Sequence, residues 1–137
     1  MDLVTKPRLL LVDDDPDTLE VSALILGERY SVASCGSARE ALAVVEAVAP
    51  QVIVLDVGMS PVDGVQCLQA IRAIPEQSHV PAIAWTAFAH DRERQAFIDA
   101  GFQAVVTKPL ADYGTLEILI DALLETPVAA VLDGEHA

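Results

Sequence analysis

Positive charge is scarce in this chain. Eight Lys and Arg stand against 21 Asp and Glu, for a formal net charge of −13. Such a surface repels phosphate backbones, so nucleic acid is not expected as a direct partner. Plain solubility accounts for much of the remaining acid. Cysteine is nearly absent. Cys35 and Cys67 have no metal-ligand spacing and are expected to be reduced, structural thiols. The histidines, His79, His90 and His136, are scattered, with no HExxH-type pairing. No apolar stretch reaches the roughly 18 uninterrupted residues of a membrane helix, and no membrane association is expected. The opening MDLVTKPRLLLV lacks the charged start, long apolar stretch and small-residue cleavage site of a secretory signal. A cytoplasmic location is therefore expected.

What is present is apolar residue, at 53% of 137 positions, enough for one sizeable core in one domain. Short β-like runs alternate with helical ones. Arg8–Val12 is a continuous apolar run, as in a strand buried on both faces. Asp15-Pro16 then offers an N-cap and a first-turn proline for a helix to about Glu28. Tyr30–Ser34 reads as a second strand. Ser37 and Glu40 have capping-box spacing before Ala41, Leu42, Val45, Val48 and Ala49 on one helical face. Val52–Leu55 is a third strand, ending at Asp56.

A loop rich in Gly, Ser and Pro follows, and Asp63–Ile74 reads as a helix. Val65, Leu68 and Ile71 face inward there; Gln66, Gln69 and Arg72 face outward. Pro81–Trp85 is a fourth strand, ending at Thr86. Asp91–Ala100 is a helix stopped by Gly101. Ala104–Thr107 is a fifth strand, and Leu116, Leu119, Ile120, Leu123 and Leu124 form the stripe of a last helix. Residues 7–125 are expected to form the domain and 126–137 a mobile tail. No repeat and no linker to a second domain is evident. Five strands alternating with five helices imply an α/β fold, a parallel sheet covered on both faces.

In such sheets reactive groups collect at the carboxyl ends of the strands. Those ends carry Asp13, Asp14 and Asp15, then Asp56, then Thr86, then Lys108-Pro109. Ionised carboxylates about 4 Å apart repel by on the order of 4 kcal/mol per pair at an effective dielectric near 20. A cation resolves the repulsion, and carboxylate oxygens suit Mg²⁺. A carboxylate can also attack phosphorus to form an acyl phosphate. The Lys108 ammonium and the Thr86 hydroxyl would then serve the phosphoryl oxygens. Each residue alone has a plainer reading: Asp15 and Asp17 as helix caps, Asp56 as a turn residue, Thr86 and Lys108 as solvated strand ends. Together, one at the end of each of several strands, they form a complete set for phosphoryl transfer onto an aspartate.

The motifs LLLVDDDP (Leu9–Pro16), VIVLDVGMSPVDG (Val52–Gly64), AWTA (Ala84–Ala87) and TKP (Thr107–Pro109) resemble those of the receiver domains of two-component response regulators. The resemblance implies a doubly wound (βα)5 fold with flavodoxin-like strand order 2-1-3-4-5. It implies that Asp56 accepts a phosphoryl group from a sensor histidine kinase or phosphotransfer protein. Mg²⁺ would be held by Asp14 directly, by Asp13 mainly through water, by Asp56, and by the backbone carbonyl of Gly58. Thr86 and Lys108 would contact the phosphoryl group, with a cis peptide before Pro109. Output would pass through the α4-β5-α5 face to a downstream protein partner. Val105, Phe88, Ala87 and Pro109 occupy the switch or tuning positions.

The chain departs from the family pattern in three places. The loop proline falls at Pro61, with Ser60 before it. Val105 stands where the family has a rotating Tyr or Phe. Gly58 and Phe88, flanking the acceptor, bring no polar side chain, and Phe88 is expected to shield the acyl phosphate from water. Two other readings compete. One is a receiver-like interaction module that works without phosphorylation. The other is a phosphatase of the haloacid-dehalogenase type, with Asp13 as nucleophile and Asp15 as acid/base; it wants Gly-Thr where this chain has Pro16-Asp17.

Overall fold

Every apolar run expected to be a strand forms one, and the five strands join into a single parallel sheet. The computed structural model describes residues 5–58, 63–87, 91–107 and 113–125. The strands are β1 (Arg8–Val12), β2 (Ser31–Cys35), β3 (Val52–Asp56), β4 (Ala82–Thr86) and β5 (Ala104–Thr107). The helices are α1 (Pro16–Leu26), α2 (Ala38–Val48), α3 (Gly64–Arg72), α4 (Asp91–Asp99) and α5 (Tyr113–Glu125), with a 3-10 turn at Pro75–Gln77. Strand order is β2-β1-β3-β4-β5.

Alternation along the strands divides the core in two. Leu10, Val12, Ile53, Leu55 and Ala84 pack with α2 and α3 on one face. Leu9, Leu11, Val54, Ile83 and Trp85 pack with Leu26 of α1 and with Leu116 and Ile120 of α5 on the other. β3 and β4 are buried throughout, which explains their unbroken apolar character. Cys35 and Cys67 are both free and buried. Burial pushes the Cys67 thiol up to about 11 and raises Cys35 as well, so neither offers a thiolate at neutral pH.

Several boundaries differ from the sequence expectation. β2 begins at Ser31, because the Tyr30 amide still donates to the Leu26 carbonyl at 2.9 Å in the turn after α1. Ser37 caps α2, but Glu40 reaches back to the amide of Gly36 at 2.8 Å instead of that of Ser37. Ala49 leaves the helical face. It is the C-cap, in the left-handed region at φ 49°. α3 stops at Arg72, before Pro75 opens the 3-10 turn. Its N-cap, Asp63, forms a complete capping box with Gln66.

Arg72 is the clearest departure. It was expected to face outward, yet its guanidinium donates to Gly101 O at 2.7 Å, Val80 O at 2.9 Å and Gln103 Oε1 at 3.2 Å. Burial lowers its pKa. Gly101, at φ 116°, leaves the room this needs, since a Cβ there would lie 2.7 Å from Arg72 Nη1. The tail 126–137, expected to be mobile, lies outside the described residues.

Candidate functional site

The strand order places the reversal of chain direction between β1 and β3. From β1 the chain steps outward to β2 and then returns past β1 to β3. Connections leave on opposite sides at such a point and open a crevice above the carboxyl ends of the two strands. Asp13 and Asp14 follow β1 directly, and Asp56 ends β3. The register pairs Val12 with Leu55, which puts Asp13 and Asp56 level on adjacent strands.

Carboxylate oxygens of Asp13, Asp14 and Asp56 all lie within 4.8 Å of one another. Asp13 is fully buried, Asp56 is nearly so at 7% exposure, and Asp14 is open to solvent. Backbone donors hold two of them in place. The Asp15 amide donates to Asp13 Oδ1 at 2.9 Å, and the Gly58 amide donates to Asp56 Oδ1 at 2.9 Å. The Asp13 amide donates to Cys35 O at 3.1 Å, which ties the acidic turn to the end of β2. Among the described residues, the three carboxylates make an all-oxygen donor set. It fits a hard divalent cation, which would also offset the repulsion among them.

Asp15 is a different kind of residue. It caps α1, accepting from the Asp17 amide at 3.2 Å and from Thr18 Oγ1 at 2.6 Å. It stands outside the acidic cluster. The phosphatase reading needs it as acid/base; its oxygens instead serve the helix terminus.

Thr86 closes β4 with 8% exposure. Asp56 pairs in register with Trp85, so Thr86 lies one residue beyond the row of Asp56 on the next strand. Val105 is half-buried on β5, two residues before the strand ends at Thr107. Ala87 is exposed just after β4. Lys108, Pro109, Phe88, Ser60 and Pro61 lie outside the described residues, as does the expected cis peptide.

Gly64 has a role that the sequence reading did not assign. It opens α3, and a Cβ there would lie 2.5 Å from Asp56 O and 2.7 Å from Val57 Cα. Only glycine lets the helix abut the backbone of Asp56 so closely. The available signal was a glycine directly after the Asp63 cap, where most residues would serve.

Comparison with known proteins agrees with this geometry. The family model described as response regulator receiver domain matches residues 9–120. An uncharacterised 14.6 kDa protein of Leptolyngbya boryana is 35% identical over 111 residues, covering 80% of this chain and 85% of that one. The transcriptional regulatory protein PrrA of Mycobacterium tuberculosis is 38% identical over 109 residues. The sensor protein GacS of Pseudomonas syringae is 30% identical over 118 residues. The chain spans 45% of PrrA and 13% of GacS. Among solved structures, a putative response regulator from Chloroflexus aurantiacus is 28% identical, with a TM-score of 0.77 over 87% of this chain and 98% of that one. A Francisella response regulator receiver domain, at 23% identity and TM-score 0.79 over 88% of this chain and 98% of that one, shares the fold. With its acidic cluster at the β1/β3 crevice and this sheet order, the chain belongs to the response regulator receiver domain family.

Proposed function

We propose that Asp56 is the phosphoacceptor of this signalling domain, and that residues 7–125 form the functional unit. The observation that carries the reading is the convergence of Asp13, Asp14 and Asp56 within 4.8 Å at the carboxyl ends of β1 and β3. A carboxylate oxygen of Asp56 attacks the phosphorus of a phosphohistidine. The P–N bond breaks, the imidazole leaves, and an acyl phosphate remains on Asp56. The Gly58 amide on Oδ1 fixes the carboxylate in one orientation before attack, which removes part of the entropic barrier. Asp13 and Asp14, with the Gly58 carbonyl, would hold Mg²⁺. That ion, when bound, offsets the carboxylate charge and draws on the phosphoryl oxygens.

Thr86 contributes a hydroxyl at the end of the neighbouring strand. Lys108, directly after Thr107, contributes the positive charge that the new phosphoryl group needs. Phe88 and Ala87 occupy tuning positions of the family, and the apolar Phe88 side chain is read as limiting access of water to the acyl phosphate. The donor is a sensor histidine kinase or a phosphotransfer protein, and the listener is a downstream protein that meets the α4-β5-α5 face. The acidic balance of the chain supports protein over nucleic acid as that partner. The buried free thiols support a reducing, cytoplasmic setting.

Incubation with acetyl phosphate and Mg²⁺ followed by intact-mass measurement tests the assignment. One added phosphoryl group is expected on the parent and none on Asp56→Ala. A parent left unmodified by acetyl phosphate and by a competent phosphohistidine donor alike would sink it.

A further inference from the structure

α4 buries no residue along Asp91–Asp99, whereas each of the other four helices buries at least two. Among the described residues, Phe97 and Arg94 on one face hold it to the region of β5. Phe97 meets Phe102 edge-on, with ring centroids 6.3 Å apart and planes at 82°. Phe102 is buried, so this contact is anchored in the core. Arg94 lies three residues earlier, on the same side of the helix. Its Nη1 donates to Val105 O at 3.1 Å and its Nη2 to Thr107 Oγ1 at 3.3 Å. Among the described residues β5 is the edge strand beside β4, so its outer carbonyls face such a partner.

The two attachments differ in kind. Apolar edge-on packing tolerates rotation about the contact, while a two-pronged guanidinium contact needs both acceptors in place. The acceptors belong to the strand end nearest the phosphoacceptor. Thr107 is the register partner of Thr86, the residue that ends β4 beside Asp56. Position 105 carries only an apolar valine side chain, so the link from β5 to α4 uses its backbone carbonyl and the Thr107 hydroxyl.

We infer that Arg94 is the positioning residue that couples the phosphorylation state of Asp56 to the placement of α4. A shift of Thr86 towards a phosphoryl group carries Thr107 with it. The Arg94 guanidinium follows, and the amino-terminal half of α4 pivots about the Phe97–Phe102 contact. This inference rests on Asp56 being the phosphoacceptor.

The test follows backbone amide shifts by NMR in the full chain, before and after phosphorylation with acetyl phosphate and Mg²⁺. Parent, Arg94→Gln and Thr107→Val are compared, with intact mass recorded for each. In the parent, amides of Thr86, Thr107 and Arg92–Gln95 are expected to shift on phosphorylation. Both variants should phosphorylate within about twofold of the parent rate, because exposed polar contacts act weakly on chemistry elsewhere. Their Thr86 shift should persist, while the α4 shifts fall to about a third or less of the parent values. Undiminished α4 shifts in both variants would overturn the role of Arg94, as would α4 amides that stay still in a phosphorylated parent. A parent that gains no phosphoryl mass instead overturns the acceptor assignment, and the Arg94 coupling falls with it.

Discussion

At the carboxyl ends of the strands, Asp13, Asp14 and Asp56 crowd within 4.8 Å of one another. At the amino ends, cations are set against carbonyls where helices stop. Lys6 Nζ donates to Gly27 O at 2.8 Å, Arg8 Nε to Ala49 O at 2.7 Å, and Arg72 Nη1 to Gly101 O at 2.7 Å. Those carbonyls lie at or just past the ends of α1, α2 and α4, none of which has a basic residue in its last turn. The negative ends of three helix dipoles therefore receive charge from distant parts of the chain. The lower end is compensated by protein cations. The upper end gathers like charges that a bound cation would offset. One end of the sheet ties helix ends to the fold, and the other carries the proposed phosphoacceptor.

Substitutions at the two ends should therefore act in different ways, and Arg72→Met is expected to give the largest effect. It removes donors from Gly101 O, Val80 O and Gln103 Oε1, and should destabilise the domain by about 2–4 kcal/mol in urea unfolding. The folded fraction should still accept phosphate at the parent rate. A large loss of rate in folded protein would break the division between the ends.

Gly64→Ala tests the upper end. Its Cβ would drive α3 against the Asp56 carbonyl, at a strain of about 1–3 kcal/mol. Phosphorylation by acetyl phosphate should slow by roughly 10- to 100-fold as the acceptor moves. A parent-like rate would show that the acceptor backbone tolerates displacement.

Tyr30 belongs to the lower end. Its hydroxyl donates to Asp121 Oδ1 at 2.6 Å, and Arg29 forms an ion pair with the same carboxylate. Burial, helped by Asp121, pushes the phenol up from 10.0 to about 12. The folded state thus holds its proton more tightly than the unfolded state does. That contribution is fully present below pH 10.0 and is lost as pH rises through about 12. Tyr30→Phe should cost about 1 kcal/mol at pH 7 and should flatten this alkaline loss. An unchanged alkaline slope would mean that another group sets it.

The smallest effect should have the opposite sign. Asp14→Asn relieves repulsion at the upper end, so the metal-free domain should gain about 0.5–1 kcal/mol at low salt. Added Mg²⁺ should raise the melting temperature of the parent more than that of the variant. Destabilisation of the metal-free variant would show that the carboxylates are already balanced within the protein.

Much of this division was legible in the chain. β1 and β5 fall where their apolar runs lie, and Asp13, Asp14, Asp56 and Thr86 all occupy strand ends. The Asp15-Pro16 start of α1 and the Asp63 start of α3 were readable because caps are local hydrogen bonds. Less was legible wherever a partner is remote. Arg72 follows the helical pattern as an outward residue, and only the approach of the loops at Val80 and Gly101 turns it into a strut. Tyr30 has the character of a strand residue, but its amide remains in the turn after α1 and its hydroxyl is claimed by α5.

The sequence by itself determined the alternation of strands and helices, the residue types at the strand ends, and so the class of chemistry. Those features depend on periodicity and on side-chain functional groups, which are local properties. Tertiary structure decided which carboxylates meet, since Asp15 stands beside Asp14 in the chain yet serves the α1 cap, while Asp56, far away in sequence, completes the cluster. It also decided that Gly64 must lack a side chain and that Arg94 grips β5. These outcomes follow from strand order, register and helix docking, which bring together groups that no local pattern relates.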